Sequence, residues 1–339
     1  MFSDENVNTP SFKVSVIVPI YNAGDRIYKC LDTLVNQTLK EIEIICVLDC
    51  PTDDTDKVVE EYAKKDSRIV VVRNEHNLHV SGSRNAGMKV ARGEYVGFSD
   101  HDDYRELNMY ELLYGKAKET NADIVVSDTH VIHENGAHET ERLHVSNKDD
   151  AVKGAIEPWT YFPNQNRFCK CIWCNLYRRN FLDKNDLRFV GWGEIMYEDE
   201  LFNSIAFVCC SALASVGTEL YTWHKSIEST SNNWIHREEM VKTMTKRTLR
   251  EMELLVEALS QNGVLKRYEP SIWRRISEEI HLHYPNYVSL VGDERQRLCQ
   301  LMRKIHFPLF GRYNLKLFSK KRLKLLFFVL KLKWDGRKV

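Results

Sequence analysis

The chain has 339 residues, 43% of them hydrophobic and 28% charged, with a formal net charge of zero. That composition supports a sizeable core in one large or two modest domains and places the chain in the soluble globular class. Zero hides an asymmetry: residues 300–339 hold twelve Lys or Arg and a single acid, Asp335, so this segment is strongly basic and the remainder acidic by the same amount.

Met1–Pro10 is acidic and polar, unlike a signal peptide, and no apolar run approaches the roughly 18 residues of a membrane span, so a cytoplasmic chain is expected. Lys13–Pro19 is a β-rich run that reads as a buried first strand closed by Pro19. Asp25 is placed to cap the next helix, where Ile27, Cys30, Leu31, Leu34 and Val35 form one apolar face. Ile42–Leu48 is almost wholly apolar, as expected of a strand covered on both faces, with Asp49 at its end. Pro51–Thr55 opens a helix to about Lys65; Ile69–Val72, Tyr95–Phe98 and Ile124–Thr129 read as strands, and Ser81–Ala91 and Leu107–Thr120 as helices. The order βαβαβαβαβ predicts an α/β fold, a Rossmann-like, mostly parallel sheet flanked by helices.

Ligands of such sheets bind at the carboxyl ends of the strands, here Pro19–Asn22, Asp49 and Asp100–Asp103. In Gly93–Asp103 a strand-type run ends in three carboxylates within four positions, Asp100, Asp102 and Asp103. Crowded like charges raise one another's pKa, and a hard divalent cation, Mn²⁺ or Mg²⁺, relieves them; an acidic turn before the next helix is the plainer alternative. No G-x-G-x-x-G follows the first strand, so a diphosphate would be held through a metal rather than on a glycine-rich helix N-terminus.

Beyond residue 166, Gly191-Trp192-Gly193-Glu194 precedes Tyr197-Glu198-Asp199-Glu200, and Leu201, Ile205 and Val208 fit one stripe of a helix starting near those acids. An acid at a helix N-terminus also interacts well with the dipole. Tyr221–Ser226 and Ser229–Ser231 form a polar, aromatic segment. From Arg237 the pattern is helical, with Met240, Met244, Leu249, Met252, Leu255, Val256 and Leu259 expected to be buried. Residues 315–334 mix bulky apolar side chains with cations, as in a basic amphipathic helix on an anionic membrane; nucleic-acid phosphates or a partner subunit are alternative contacts. The nine Cys are irregularly spaced and argue for free thiols; Cys169, Cys171 and Cys174 lack a second pair at zinc spacing.

Val14–Asn22, Asp49 with Thr52-Asp53, Asn77 with Ser81 and Ser83-Arg84-Asn85-Ala86-Gly87, and Gly93-Glu94-Tyr95 running into Asp100-His101-Asp102-Asp103 together resemble the family 2 glycosyltransferases, over Val14 to about Tyr221. The resemblance is to bacterial enzymes that build lipopolysaccharide, capsule and other surface glycans. It implies a glycosyltransferase-A fold and an inverting transfer of a hexose or N-acetylhexosamine from a UDP-sugar, with Mn²⁺ or Mg²⁺, to a hydroxyl of a glycan or lipid-linked glycan. By the same resemblance Pro19, Tyr21 and Asp49 cradle the base, Asn22 lies with them, Arg84 belongs to the nucleotide site, Asp100 approaches ribose and metal, and Asp102 ligates the metal. Asp199 is implied as general base with Glu198 in support, and His224 as a further metal or diphosphate contact; by residue type alone, Trp192 is a candidate acceptor contact that stacks on a sugar face, with an ordinary core or lid Trp as the alternative, and Lys225 a candidate diphosphate contact. Leu48, Cys50, His79 and His101 depart from the family's usual residues, two of them, Cys50 and His79, where glycine is usual.

The expected organisation is a catalytic domain at 1–235, with a nucleotide-sugar half near 11–130 and an acceptor half near 131–235, then a helical extension at 236–310 and a basic tail at 311–339. Such a protein would sit peripherally on the cytoplasmic face of the inner membrane, without nucleic acid; a homo-oligomer is left open. Two rival readings are a nucleotidyltransferase, which would need a glycine-rich basic loop that Pro19–Asp25 is not, and a non-catalytic nucleotide-sugar-binding scaffold.

Overall fold

The computed structural model describes residues 12–133, 136–141, 171–191, 193–195, 197–225, 238–266, 268–269, 272–273 and 292–306. Trp192, Cys169, residues 226–237 and the basic tail at 311–339 lie outside the described residues. No helix among the described residues is long and apolar enough to cross a membrane.

The first half follows the expected alternation: β1 (Val14–Ile20), α1 (Arg26–Val35), β2 (Ile42–Leu48), α2 (Thr55–Lys65), β3 (Ile69–Arg73), α3 (His79–Val90) and β4 (Tyr95–Phe98). β3, β2, β1 and β4 lie side by side in parallel, and β1 and β2 are buried along their whole length. Their apolar, β-branched runs are the composition that two-sided burial demands. One departure is Asp25, which stands at the N-cap of α1 but makes no side-chain capping bond. Another is Pro19, which pairs with Val47 inside β1 rather than ending it. The β4 partnership extends only to Ile17 opposite Phe98, so the missing Pro19 donor costs no ladder bond on that side.

Beyond β4 the sheet is more mixed than expected. It continues through β5 (Tyr104–Arg105), α4 (Met109–Thr120), β6 (Ile124–His133), β7 (His138–Glu141), β8 (Asn175–Arg178), α5 (Arg179–Lys184), α6 (Glu198–Cys209) and β9 (Leu213–Lys225). The strand order is β3-β2-β1-β4-β8-β6-β9-β5, with β7 on β6. The fifth predicted strand, β6, does not join β4: β8 lies antiparallel between them, and β9 runs parallel to β6 on its far side. Such pairings depend on closure over long chain separations, which local periodicity does not record.

Close packing of α3 on the sheet explains the glycine of the Ser-Arg-Asn-Ala-Gly motif. A Cβ at Gly87 would come within 2.4 Å of Ile17 Cγ2 in the centre of β1. Overfilling such a contact costs about 1–3 kcal/mol.

The main core lies along the sheet, and a second apolar cluster lies behind α6. There Ile195 and Leu201 join Leu249, Met252, Leu255, Val256 and Leu259 of α7 (Glu238–Gln261) and Leu298, Leu301 and Met302 of α8 (Gly292–Lys304), with Ile205 and Val208 packed against them. The predicted stripe on α6 therefore faces the C-terminal helices, leaving the helix's N-terminal acids at the edge of the sheet.

Candidate active site

The loops after β1 and β2 are tied together. Asn22 Nδ2 donates to Thr52 Oγ1 at 3.0 Å, and Thr52 N–H donates back to Asn22 Oδ1 at 2.7 Å. Gly24 N–H donates to Asp53 Oδ2 and Ala23 N–H to Thr55 Oγ1. Tyr21 is left 44% exposed beside this seam, while Asp49 is buried. Asp49 Oδ1 accepts from Asn74 Nδ2 at 2.7 Å and from the Leu78 N–H at 2.8 Å, so it shapes the loop leading into α3.

Asn22, Cys50 and His79 all have positive φ, 45°, 57° and 56°. Cys50 and His79, where the resemblance led to an expectation of glycine, both adopt the left-handed backbone with a side chain in place. The cost of that conformation is of order 1–2 kcal/mol per residue.

Arg84 on α3 joins the two acidic constellations. It is 4% exposed; one terminal nitrogen donates to Asp100 Oδ1 at 3.0 Å and the other to Glu198 Oε1 at 2.9 Å. Its guanidinium carbon lies 5.2 Å from the centre of the Phe189 ring, and its Nε is buried without a hydrogen-bond partner. Burial alone would lower the Arg84 pKa, but the charges of Asp100, Glu198 and Asp199 outweigh it and raise the pKa. Asn85 next to it clamps Phe189, donating to the Phe189 carbonyl and accepting its N–H, both at 2.9 Å. This holds the segment leading into α6 against α3.

The three clustered carboxylates have different environments. Asp100 faces Arg84, and Asp102, partly exposed, faces Arg26 on the first turn of α1 at 3.6 Å. Asp103 turns inward and is 2% exposed, accepting from the Tyr221 hydroxyl at 2.9 Å and from the His224 N–H at 2.8 Å. Burial, then the charges of Asp100 and Asp102, push its pKa well above the usual carboxylate range. His101 Nδ1 approaches the Pro19 carbonyl at 3.2 Å.

At the start of α6, Asp199 Oδ1 accepts the Glu200 N–H at 2.8 Å. Burial and the neighbouring Glu198 charge push the Asp199 carboxyl up to about 8, against the opposing pull of Arg84. The His224 ring is exposed and sits beside Tyr104, with ring centres 6.2 Å apart. Lys225 closes β9, but its side chain is outside the described residues.

Among the described residues no three His, Cys, Asp or Glu side chains converge as a ready cation cage, so Asp100, Asp102 and His224 are not gathered on one point. Instead each of the two outward-facing acids is balanced by an arginine. Arg26, Asn85, Phe189 and Tyr221 enter the site without having been singled out for it in the sequence. Asn85 lies within the Ser-Arg-Asn-Ala-Gly motif and Tyr221 opens the Tyr221–Ser226 segment, while Arg26 follows the β1 loop at the carboxyl end of the sheet, where a cation is a usable signal.

The chain is similar to several known proteins. An uncharacterized glycosyltransferase, EpsJ of Bacillus subtilis, is 34% identical over 226 residues, covering 64% of this chain and 62% of EpsJ. This chain thus spans under two thirds of that relative. The UDP-Glc:alpha-D-GlcNAc-diphosphoundecaprenol beta-1,3-glucosyltransferase WfaP of Escherichia coli is 42% identical over 91 residues, covering 27% of this chain and 36% of WfaP. TarS 1-349 of S. aureus, solved in complex with UDP-GlcNAc, superposes with a TM-score of 0.66 at 20% identity, covering 96% of this chain and 92% of TarS. That likeness shows the shared glycosyltransferase-A fold. The family described as Glycosyl transferase family 2 matches residues 15–186, half of the chain, and the chain belongs to that family.

Proposed function

We propose that the protein is an inverting, metal-dependent glycosyltransferase that moves a hexose or N-acetylhexosamine from a UDP-sugar to a hydroxyl of a growing surface glycan. The observation that carries this reading is Arg84: one buried guanidinium touches Asp100 of the acid loop and Glu198 of α6 and lies in the field of Asp199. The acid loop after β4 and the acids of α6 therefore meet at one guanidinium.

Each residue's environment suits its part. The Asp49 bonds within the protein both end on Oδ1, leaving Oδ2 for a base edge, and exposed Tyr21 is placed to cover it. Asp100 and Asp102 offer partly exposed carboxylate oxygens, the donor type Mn²⁺ and Mg²⁺ prefer, with water and phosphate oxygens completing their shells. Bound there, such a cation supplies Lewis-acid stabilisation of the departing diphosphate. Glu198 is engaged by Arg84 through a 2.9 Å ion pair, which suits it to a supporting part. Asp199, whose carboxyl burial and the Glu198 charge push up to about 8, is matched to taking the acceptor's proton. No covalent sugar–protein intermediate is needed, and direct displacement inverts the anomeric centre.

The test is calorimetry with UDP and GDP, each with and without Mn²⁺, on the wild type and Asp102→Asn. Tight UDP binding that needs Mn²⁺, lost in Asp102→Asn, is expected. Equal affinity in the variant overturns the metal assignment, GDP preference overturns the donor, and no binding of either overturns the reading.

In the same reading, the basic segment 311–339 brings the cleft to an anionic membrane that presents a lipid-linked acceptor. Cosedimentation with phosphatidylglycerol vesicles should fall sharply when 311–339 is deleted and in high salt; binding unchanged by the deletion overturns this part.

A further inference from the structure

We propose that Tyr221 is a positioning residue whose hydroxyl braces the acid loop in the geometry that binds the divalent cation. The inference rests on the metal-dependent reading above. Tyr221 lies on β9, paired directly with Arg105 of the neighbouring β5, and its hydroxyl reaches Asp100, 121 residues away in the chain. Its hydroxyl donates to buried Asp103 Oδ2 at 2.9 Å and accepts the Asp100 N–H at 3.2 Å. One oxygen therefore ties the first and last acids of Asp100-His101-Asp102-Asp103 to each other and to a strand from the other half of the sheet.

The hydroxyl is itself held in place. Tyr221 is 1% exposed, and Trp173 stacks on its ring at 4.6 Å with the planes 20° apart. Arg105, equally buried, packs its guanidinium 5.6 Å from the same ring centre and donates to Ser99 Oγ at 2.7 Å and to the Asp103 carbonyl at 3.1 Å. Asp103 is fixed a second time to β9 through the His224 N–H. The loop is thus fastened from behind at Ser99, Asp100 and Asp103, and the outward carboxylates of Asp100 and Asp102 project from a rigid backing. Carboxylates that ligate a metal are oriented by partners of this kind, whose loss weakens metal affinity by roughly 10–100-fold.

Tyr221→Phe deletes the hydroxyl alone and keeps the ring on Trp173 and Arg105. With UDP present, Mn²⁺ affinity read by electron paramagnetic resonance should fall by roughly 10–100-fold, while UDP binding without metal stays unchanged. Independently of any metal, hydrogen exchange at the Asp100 amide should be slow in the wild type and faster in Tyr221→Phe, with the β1 and β2 amides unaffected. A freely exchanging Asp100 amide in the wild type overturns the brace. Faster exchange with wild-type Mn²⁺ affinity overturns its role in metal binding. A wild type that binds no Mn²⁺ while its Asp100 amide is protected overturns the metal-dependent reading, and this inference with it.

Discussion

Asp199→Asn should reduce sugar transfer by about 10²–10⁴-fold, the usual contribution of a general base, while leaving UDP-sugar affinity near the wild-type value. The amide is nearly the same size and can still accept the Glu200 N–H that Asp199 Oδ1 accepts at 2.8 Å. What it cannot do is take a proton. The wild-type rate should rise with pH through about 8 as the carboxyl ionises, and the residual rate of the variant should lack that rise.

Stability should move the opposite way. An unfolded Asp titrates near ~3.9, whereas the folded Asp199 carboxyl is pushed up to about 8. The native state then holds the proton more tightly than the unfolded one, so this group lowers stability as pH rises between those two values. Asp199→Asn cannot ionise, and its melting temperature should fall less over that window than that of the wild type. Single-turnover transfer, UDP-sugar calorimetry and melting across pH 5–9 check the three statements. A variant with the wild-type turnover rate would remove Asp199 from the chemistry.

The half of the molecule that holds these acids was unevenly legible. β1 to β4 and their helices follow from period and composition, because each is a local pattern buried on a predictable face. That was enough to bring Asn22, Asp49 and Asp100–Asp103 to one edge of the sheet. β8 was not legible: its four residues carry no period, and its place between β4 and β6 is set by pairings that reach back along the chain from Arg178 to Tyr95 and from Tyr177 to Ile124.

The acid cluster shows a second kind of limit. In sequence its three carboxylates are equivalent, and only packing separates outward Asp100 and Asp102 from Asp103, which is spent on Tyr221 and the backbone of His224. The partnership of Arg84 with Glu198 spans 114 residues. The arginine and the acid pair were each visible as motifs, but their contact required the clamp between Asn85 and Phe189, which has no local signature.

That contact carries the second large effect, Arg84→Met. The substitution keeps the stem's packing and removes the charge, leaving Asp100 and Glu198 without their shared, buried cation. Breaking a buried pair this way costs about 3–5 kcal/mol. Asp100 is 33% exposed on its side chain, so solvent screens part of the loss and the lower end, about 3 kcal/mol, is expected. A purely structural arginine would stop there. Because Arg84 also pulls the Asp199 pKa down, its loss should carry the rising limb of the pH–rate profile above its wild-type position near 8. Arg84→Lys separates the two roles: a single ammonium restores a positive charge but cannot donate to Asp100 and Glu198 through two forked nitrogens. It should therefore return much of the profile toward wild type while recovering less of the stability. Urea midpoints and pH–rate profiles of both variants measure this, and a Met variant that loses stability with its pH profile unmoved would confine Arg84 to holding α3 against α6.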